Sequence, residues 1–208
     1  MKNDIVKTES HIEENFSVLR TNLRFGKDNK GVSVVTITSP SEEEGKSTIT
    51  YELAKSFAQD GESVLIIDCN LRSPDIKNRL GQDEGRGLVN ILLNDVNPSE
   101  VVVGNPEFEH FDVILSGVIP PNISELLGSK KMDHLIQSVK EHYDYVFLDA
   151  PAMNFYPEAG ILANYSDGTL LVVSKGVTEA SEVDKAIRRI EYLDGRILGF
   201  VLNNMENI

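Results

Sequence analysis

Tryptophan is absent, cysteine occurs once, and no long apolar run interrupts the 208 residues. Each shortage excludes something. A single Cys69 cannot build an intramolecular disulfide framework and fits a reducing cytosol. Nothing approaches the ~20 consecutive apolar residues a membrane-spanning helix needs. The N-terminal segment carries charges throughout and has no signal-peptide core, so the reading is cytoplasmic. Basic residues are scarce too: 20 Lys and Arg stand against 33 Asp and Glu, a net charge of −13 and a pI near 4.7. A net anion is repelled by phosphate backbones, so no nucleic acid is expected as partner. Such a surface serves solubility and would also steer a basic partner segment. The remaining composition, 40% hydrophobic and 25% charged, is that of a globular chain able to bury its own core.

Short apolar runs alternate with helix-length amphipathic stretches. Residues 32–38 (VSVVTIT), 63–67 (SVLII), 111–115 (FDVIL), 145–148 (YVFL), 169–174 (TLLVVS) and 197–202 (ILGFVL) read as strands. Most are continuous rather than alternating, which suits strands covered on both faces of a parallel sheet. Helices are expected over 47–60, where Ile49, Leu53 and Phe57 recur every fourth position before Gly61, a C-cap candidate. Two more are expected over 129–142 and over 178–193, the latter with Val183, Ala186, Ile187 and Ile190 on one face. The alternation predicts an α/β fold, a doubly wound, mostly parallel sheet flanked by helices, with ligands beyond the carboxyl ends of the strands. Two units follow: an N-terminal arm, residues 1–30, helical over 12–25 and a candidate for self-association or partner docking, and a domain over 31–208.

The first strand runs into SPSEEEGKST, residues 39–48, and then into a helix. This resembles a phosphate-binding Walker A loop, with Pro40 where the first Gly of G-x-x-x-x-G-K-[ST] belongs. Loop amides and the helix N-terminus cradle phosphate oxygens, Lys46 neutralises the β- and γ-phosphates, and the Ser47 hydroxyl ligates Mg²⁺. Glu42, Glu43 and Glu44 oppose this. Two charges ~8 Å apart interact by roughly 2 kcal/mol at an effective dielectric near 20. Pointing to solvent, the three cost little; turned inward, one of them would occupy the phosphate site. Two more strands end in acids, Asp68 of DCNLRSPD and Asp149 before APA. A parallel sheet brings both to the edge that carries the loop, where paired carboxylates hold Mg²⁺ or orient a nucleophile. Cys69 reads as a small buried hydrophobe.

Taken together, these motifs resemble the bacterial tyrosine kinase (BY-kinase) family of capsule and exopolysaccharide assembly, within the P-loop ATPases. EENFSVLRTNLRF resembles the family's N-terminal helix, TSPSEEEGKST its Walker A segment and VLIIDCNLRSP its D-x-D-x-R motif. LSGVIPPNISELLGS, YDYVFLDAPA, GTLLVVSKGVT and ILGFVLNN resemble its later segments. The resemblance implies ATP and Mg²⁺ as cofactors and tyrosine phosphorylation. It also implies a transmembrane chain-length-regulator-type adaptor whose cytosolic tail activates the kinase, with the membrane reached only through that partner. It assigns catalysis to Lys46, Asp68, Asp149 and Arg72. Nucleotide binding falls to Gly45, Lys46, Ser47, Thr48 and Asn203, and the metal to Ser47, Asp68 and Asp149.

Several positions depart from the family pattern. Glu42 and Glu43 replace the Pro and Gly of P-G-E-G-K, and a lost Gly restricts backbone that must turn toward phosphate. Asn70 replaces the second Asp of D-x-D, and an amide cannot act as a base. Ser17 replaces one arginine of the ring-forming E-x-x-R-x-x-R pattern, which here reads Glu14, Ser17, Arg20. No tyrosine run follows the last strand; the six tyrosines lie in expected folded elements. Two readings therefore stand: an ATP-dependent kinase whose substrates are other proteins, or a catalytically impaired pseudokinase regulating the same machinery. A third, a partitioning ATPase with K-G-G-x-G-K-T, is disfavoured because Ser41 holds the lysine's place and Glu42 and Glu43 those of the glycines.

Overall fold

A computed structural model describes residues 2–26, 31–82 and 85–204, with side chains from His11 onward. Its strands are β1 (Val34–Thr38), β2 (Val64–Asp68), β3 (Val102–Gly104), β4 (Phe111–Ile114), β5 (Tyr145–Asp149), β6 (Gly168–Ser174) and β7 (Ile197–Asn203). They form one sheet in the order β3-β4-β2-β5-β1-β6-β7. All neighbours run parallel except β3, which pairs antiparallel with β4 at the edge. The six expected strands are present. The edge strand β3 is additional: three half-exposed residues ending in Gly104 carry no recognisable period.

Helices cover both faces, as the buried strands require. Alternate residues of each strand feed two cores. Leu65, Ile67, Val146 and Leu148 pack under α4 (Leu88–Asn94), α5 (Ile123–Leu127), α6 (Lys130–Lys140), α7 (Pro157–Tyr165) and α8 (Ala180–Tyr192). Val64, Ile66, Ile37 and Phe147 pack under α1 (Lys2–Phe25), α2 (Lys46–Gln59) and α3 (Ile76–Leu80). Ile49, Leu53 and Phe57 of α2 are all buried there. Gly61 closes α2 at φ 88°, its N–H bonded to Ala58 O at 3.0 Å and the Glu62 N–H to Phe57 O at 3.2 Å. This is a Schellman closure, which a left-handed glycine allows at no steric cost.

The second half of α1 is docked on the domain. Phe16, Leu19 and Leu23 join the α2-side core. Arg20 donates to Ser56 O at 2.5 Å and Ser56 Oγ at 3.0 Å, and Arg24 pairs with Asp60 at 2.6 Å and with Glu62. The arginine retained from the ring-forming pattern is thus engaged by its own chain. Met1, residues 27–30 of the expected arm, and the tail beyond Asn204 lie outside the described residues.

Candidate functional site

The strand order reverses around β1, β5 and β2, and their carboxyl ends carry the loop, Asp149 and Asp68. Asp68 and Asp149 are register partners on adjacent parallel strands, so both side chains leave the sheet at one place. Both are wholly buried. Ser47 Oγ donates to Asp149 Oδ2 at 2.6 Å and Thr50 Oγ1 to Asp149 Oδ1 at 3.2 Å. Asp68 Oδ1 accepts the Asn70 N–H at 3.2 Å, while Asp68 Oδ2 is buried without a partner. Burial, reinforced by the neighbouring Asp149, holds the Asp68 carboxyl well above its ordinary range. Burial pushes Asp149 up to about 6, opposed by the Ser47 hydroxyl and Lys46. Lys46 is itself buried, which lowers its pKa against the pull of Asp149, Glu44 and Glu42.

Two desolvated carboxylates side by side are a costly arrangement without a cation. Among the described residues no cluster of three or more His, Cys, Asp or Glu forms a complete metal cage. The aspartate pair with the Ser47 hydroxyl is instead an open donor set, of the kind in which Mg²⁺ takes one or two carboxylates and completes its shell with waters and phosphate oxygens. The residues fit the ion, and Asp68 Oδ2 is the orphan it would satisfy.

The three glutamates part company. Glu42 is exposed and accepts a 2.6 Å hydrogen bond from Tyr156 Oη. Glu43 is exposed and left-handed, φ 57°, a conformation that glycine adopts freely and other residues at a cost. Glu44 is buried; its Oε1 accepts the Ser41 N–H at 3.2 Å, and burial raises its carboxyl against the hydrogen bonds of Thr178 and Ser41 and the field of Lys46. Gly45 stands at φ 86°, and a Cβ there would overlap the Asn203 amide, whose Nδ2 donates to Glu44 O at 2.9 Å. Asn203 thus braces the loop's main chain.

A cleft of about 410 Å³ opens over the loop, lined among others by Lys46, Ser47, Thr48, Arg72 and Tyr156. Arg72 pairs with the fully buried Glu158 at 2.7 Å, Ser124 Oγ donates to the same carboxylate at 2.7 Å, and the Tyr156 ring lies 4.5 Å from the guanidinium. On the other side Arg79 Nη2 donates to Thr48 Oγ1 at 2.7 Å and to Asp75 at 2.9 Å. The structure therefore brings Gly45, Lys46, Ser47, Thr48, Asp68, Arg72, Asp149 and Asn203 to one edge. Sequence reasoning missed Tyr156, Glu158 and Arg79. The first two follow the β5 aspartate closely, and Pro157 at the first position of α7 was the available signal.

A strand, a loop ending in Gly-Lys-Ser and two acidic strand ends on a parallel sheet define a phosphate-loop ATPase. Comparison with known proteins agrees and narrows the class. The AAA domain family matches residues 34–196. Tyrosine-protein kinase YwqD of Bacillus subtilis is 37% identical over 204 residues, 97% of this chain and 86% of that protein. Tyrosine-protein kinase CpsD of Streptococcus agalactiae serotype III is 33% identical over 195 residues, 93% of this chain and 82% of that protein. The kinase domain of the Escherichia coli tyrosine kinase ETK superposes with a TM-score of 0.86 at 30% identity, covering 94% of this chain and 78% of that one. The chain belongs to the bacterial tyrosine-protein kinase family. MinD of Aquifex aeolicus, at 23% identity and a TM-score of 0.70, shares the fold alone over 84% of this chain and 70% of its own.

Proposed function

We propose that the chain binds MgATP and transfers the γ-phosphoryl group to tyrosine hydroxyls on other proteins. The Asp68–Asp149 pair carries this reading: buried side by side, one oxygen orphaned, beside Lys46 and Ser47. Lys46 balances phosphate charge, loop amides around Gly45 and Thr48 hold the phosphates, and Ser47 with the two aspartates holds Mg²⁺. Bound Mg²⁺ supplies charge neutralisation at the β- and γ-phosphates. Arg72, fixed by Glu158, presents a cation at the cleft wall. Asn203 keeps the loop in its binding shape.

The wider setting rests on family membership. The chain works with a membrane adaptor whose cytosolic tail docks on it, in capsule or exopolysaccharide assembly, and reaches the inner membrane face through that partner. Among the described residues no helix is long and apolar enough to cross a membrane. The arm over 1–30 serves docking or self-association beside the ATPase domain over 31–208.

One observation favours a second reading, a non-catalytic regulator of the same machinery: the strained Glu43 in the loop together with an amide at Asn70. Labelled ATP and a tyrosine-rich copolymer, with an adaptor tail added, separate the two. The kinase reading expects transfer that is lost in Asp149→Asn and Lys46→Met. Binding without transfer or hydrolysis would favour the regulator.

A further inference from the structure

Phosphoryl transfer to tyrosine needs a group to take the hydroxyl proton, and the cleft holds few candidates. Asp68 and Asp149 are wholly buried, closed to an incoming hydroxyl, and both belong to the metal site. Asn70 is an amide whose Nδ2 is spent on Ser73 O at 2.9 Å. Glu158 is buried against Arg72, and Glu42 and Glu43 belong to the phosphate loop itself, Glu42 latched by Tyr156.

Asp75 is different. It lines the same cleft as Lys46, Ser47 and Asn70, and its side chain is 42% exposed, open to an incoming hydroxyl. Its charge is felt by both Asp68 and Asp149, which places it within electrostatic reach of the metal site. It stands at the N-cap position of α3 yet makes no capping hydrogen bond with its side chain. The carboxylate is held from the side instead: Asn78 Nδ2 donates to Oδ1 at 3.0 Å and Arg79 Nη2 to Oδ2 at 2.9 Å. Arg79 Nη2 also grips Thr48 Oγ1 at 2.7 Å, so the carboxylate's position is tied to the phosphate loop.

We propose that Asp75 is the catalytic base of this chain, replacing the carboxylate lost at Asn70. In the step, the tyrosine oxygen bonds to the γ-phosphorus as the bond from that phosphorus to the ADP oxygen breaks. The tyrosine proton passes to Asp75. Arg79 orients the base and holds the adjacent loop.

This rests on the kinase reading, and the test separates the two. Asp75→Asn, Asn70→Asp and the double variant are compared with the wild-type chain. Three readouts are used: calorimetric MgATP affinity, melting temperature without nucleotide, and single-turnover transfer to a tyrosine copolymer. A positioned base contributes on the order of 10²-fold or more, so Asp75→Asn is expected to lose about 100-fold in transfer. Its MgATP affinity stays within roughly threefold, and the double variant regains at least roughly tenfold in transfer. Asp75→Asn transferring at the wild-type rate overturns the proposal. A proportional loss of MgATP binding or of melting temperature also overturns it, by showing that Asp75 is structural. Wild type that binds MgATP but neither transfers nor hydrolyses overturns the kinase reading itself, and the assignment of Asp75 with it.

Discussion

Replacing Glu43 with glycine should make the protein more stable, although it deletes a side chain. Glu43 sits at φ 57°, a region that costs a non-glycine residue about 1–2 kcal/mol. Glycine removes that cost but loses more freedom on folding, an offset of roughly 0.5–1 kcal/mol. The net gain centres on about 0.75 kcal/mol. For a chain of 208 residues this raises Tm by about 1–4 °C. Glu43→Gln separates strain from charge, because glutamine keeps the Cβ and loses only the carboxylate. Calorimetric melting without nucleotide should rank Glu43→Gly above both Glu43→Gln and wild type. MgATP affinity should rise in both variants, since Glu43 lines the cleft, and rise more in Glu43→Gly, whose loop turns freely. A Glu43→Gly protein melting at or below wild type would refute the reasoning. So would a Glu43→Gln protein showing the whole gain, which would assign the cost to charge.

Three further outcomes follow. The Asp149 carboxyl is raised from 3.8 to about 6 by burial, so the folded state holds its proton more tightly than the unfolded chain. The stability it contributes is present below 3.8 and is lost as pH rises through about 6. Denaturant unfolding of nucleotide-free protein should show this fall; Asp149→Asn should make it shallower, leaving the part due to the buried Asp68, and an unchanged profile would contradict the burial argument. Arg72→Ala strands the fully buried Glu158; because Arg72 is 38% exposed, the cost should be about 2 kcal/mol, below the 3–5 kcal/mol of a fully enclosed pair, read as a lower urea midpoint. Gly45→Ala meets both a left-handed φ and the Asn203 amide, so it should abolish MgATP binding by calorimetry, and Gly45→Ala with Asn203→Ala should not restore it.

Much of this architecture was legible because burial on both faces writes continuous apolar runs. The VLII and YVFL runs each lead straight into an aspartate, so the partnership of Asp68 with Asp149 could be read before any coordinates. The short elements could not. Five residues of α3 span little more than one helical turn, and α7 buries Glu158 and Gly160 along with Ala159, Leu162 and Ala163, so its apolar residues alone mark no face. Contacts between distant residues were equally silent. Tyr156 reaches Glu42 and Arg79 reaches Thr48 only because the fold brings together segments 114 and 31 residues apart. The glutamate triplet looked like one block of charge. It proved to be three environments, a surface latch, a strained turn and a buried bond to the loop's own amide.

The central claim, that this loop binds nucleotide despite its glutamates, is met most directly by calorimetric titration of the protein with MgATP, with Lys46→Met as control. Micromolar binding that vanishes in the variant is the result expected. No heat up to millimolar MgATP, or equal binding by Lys46→Met, would contradict it.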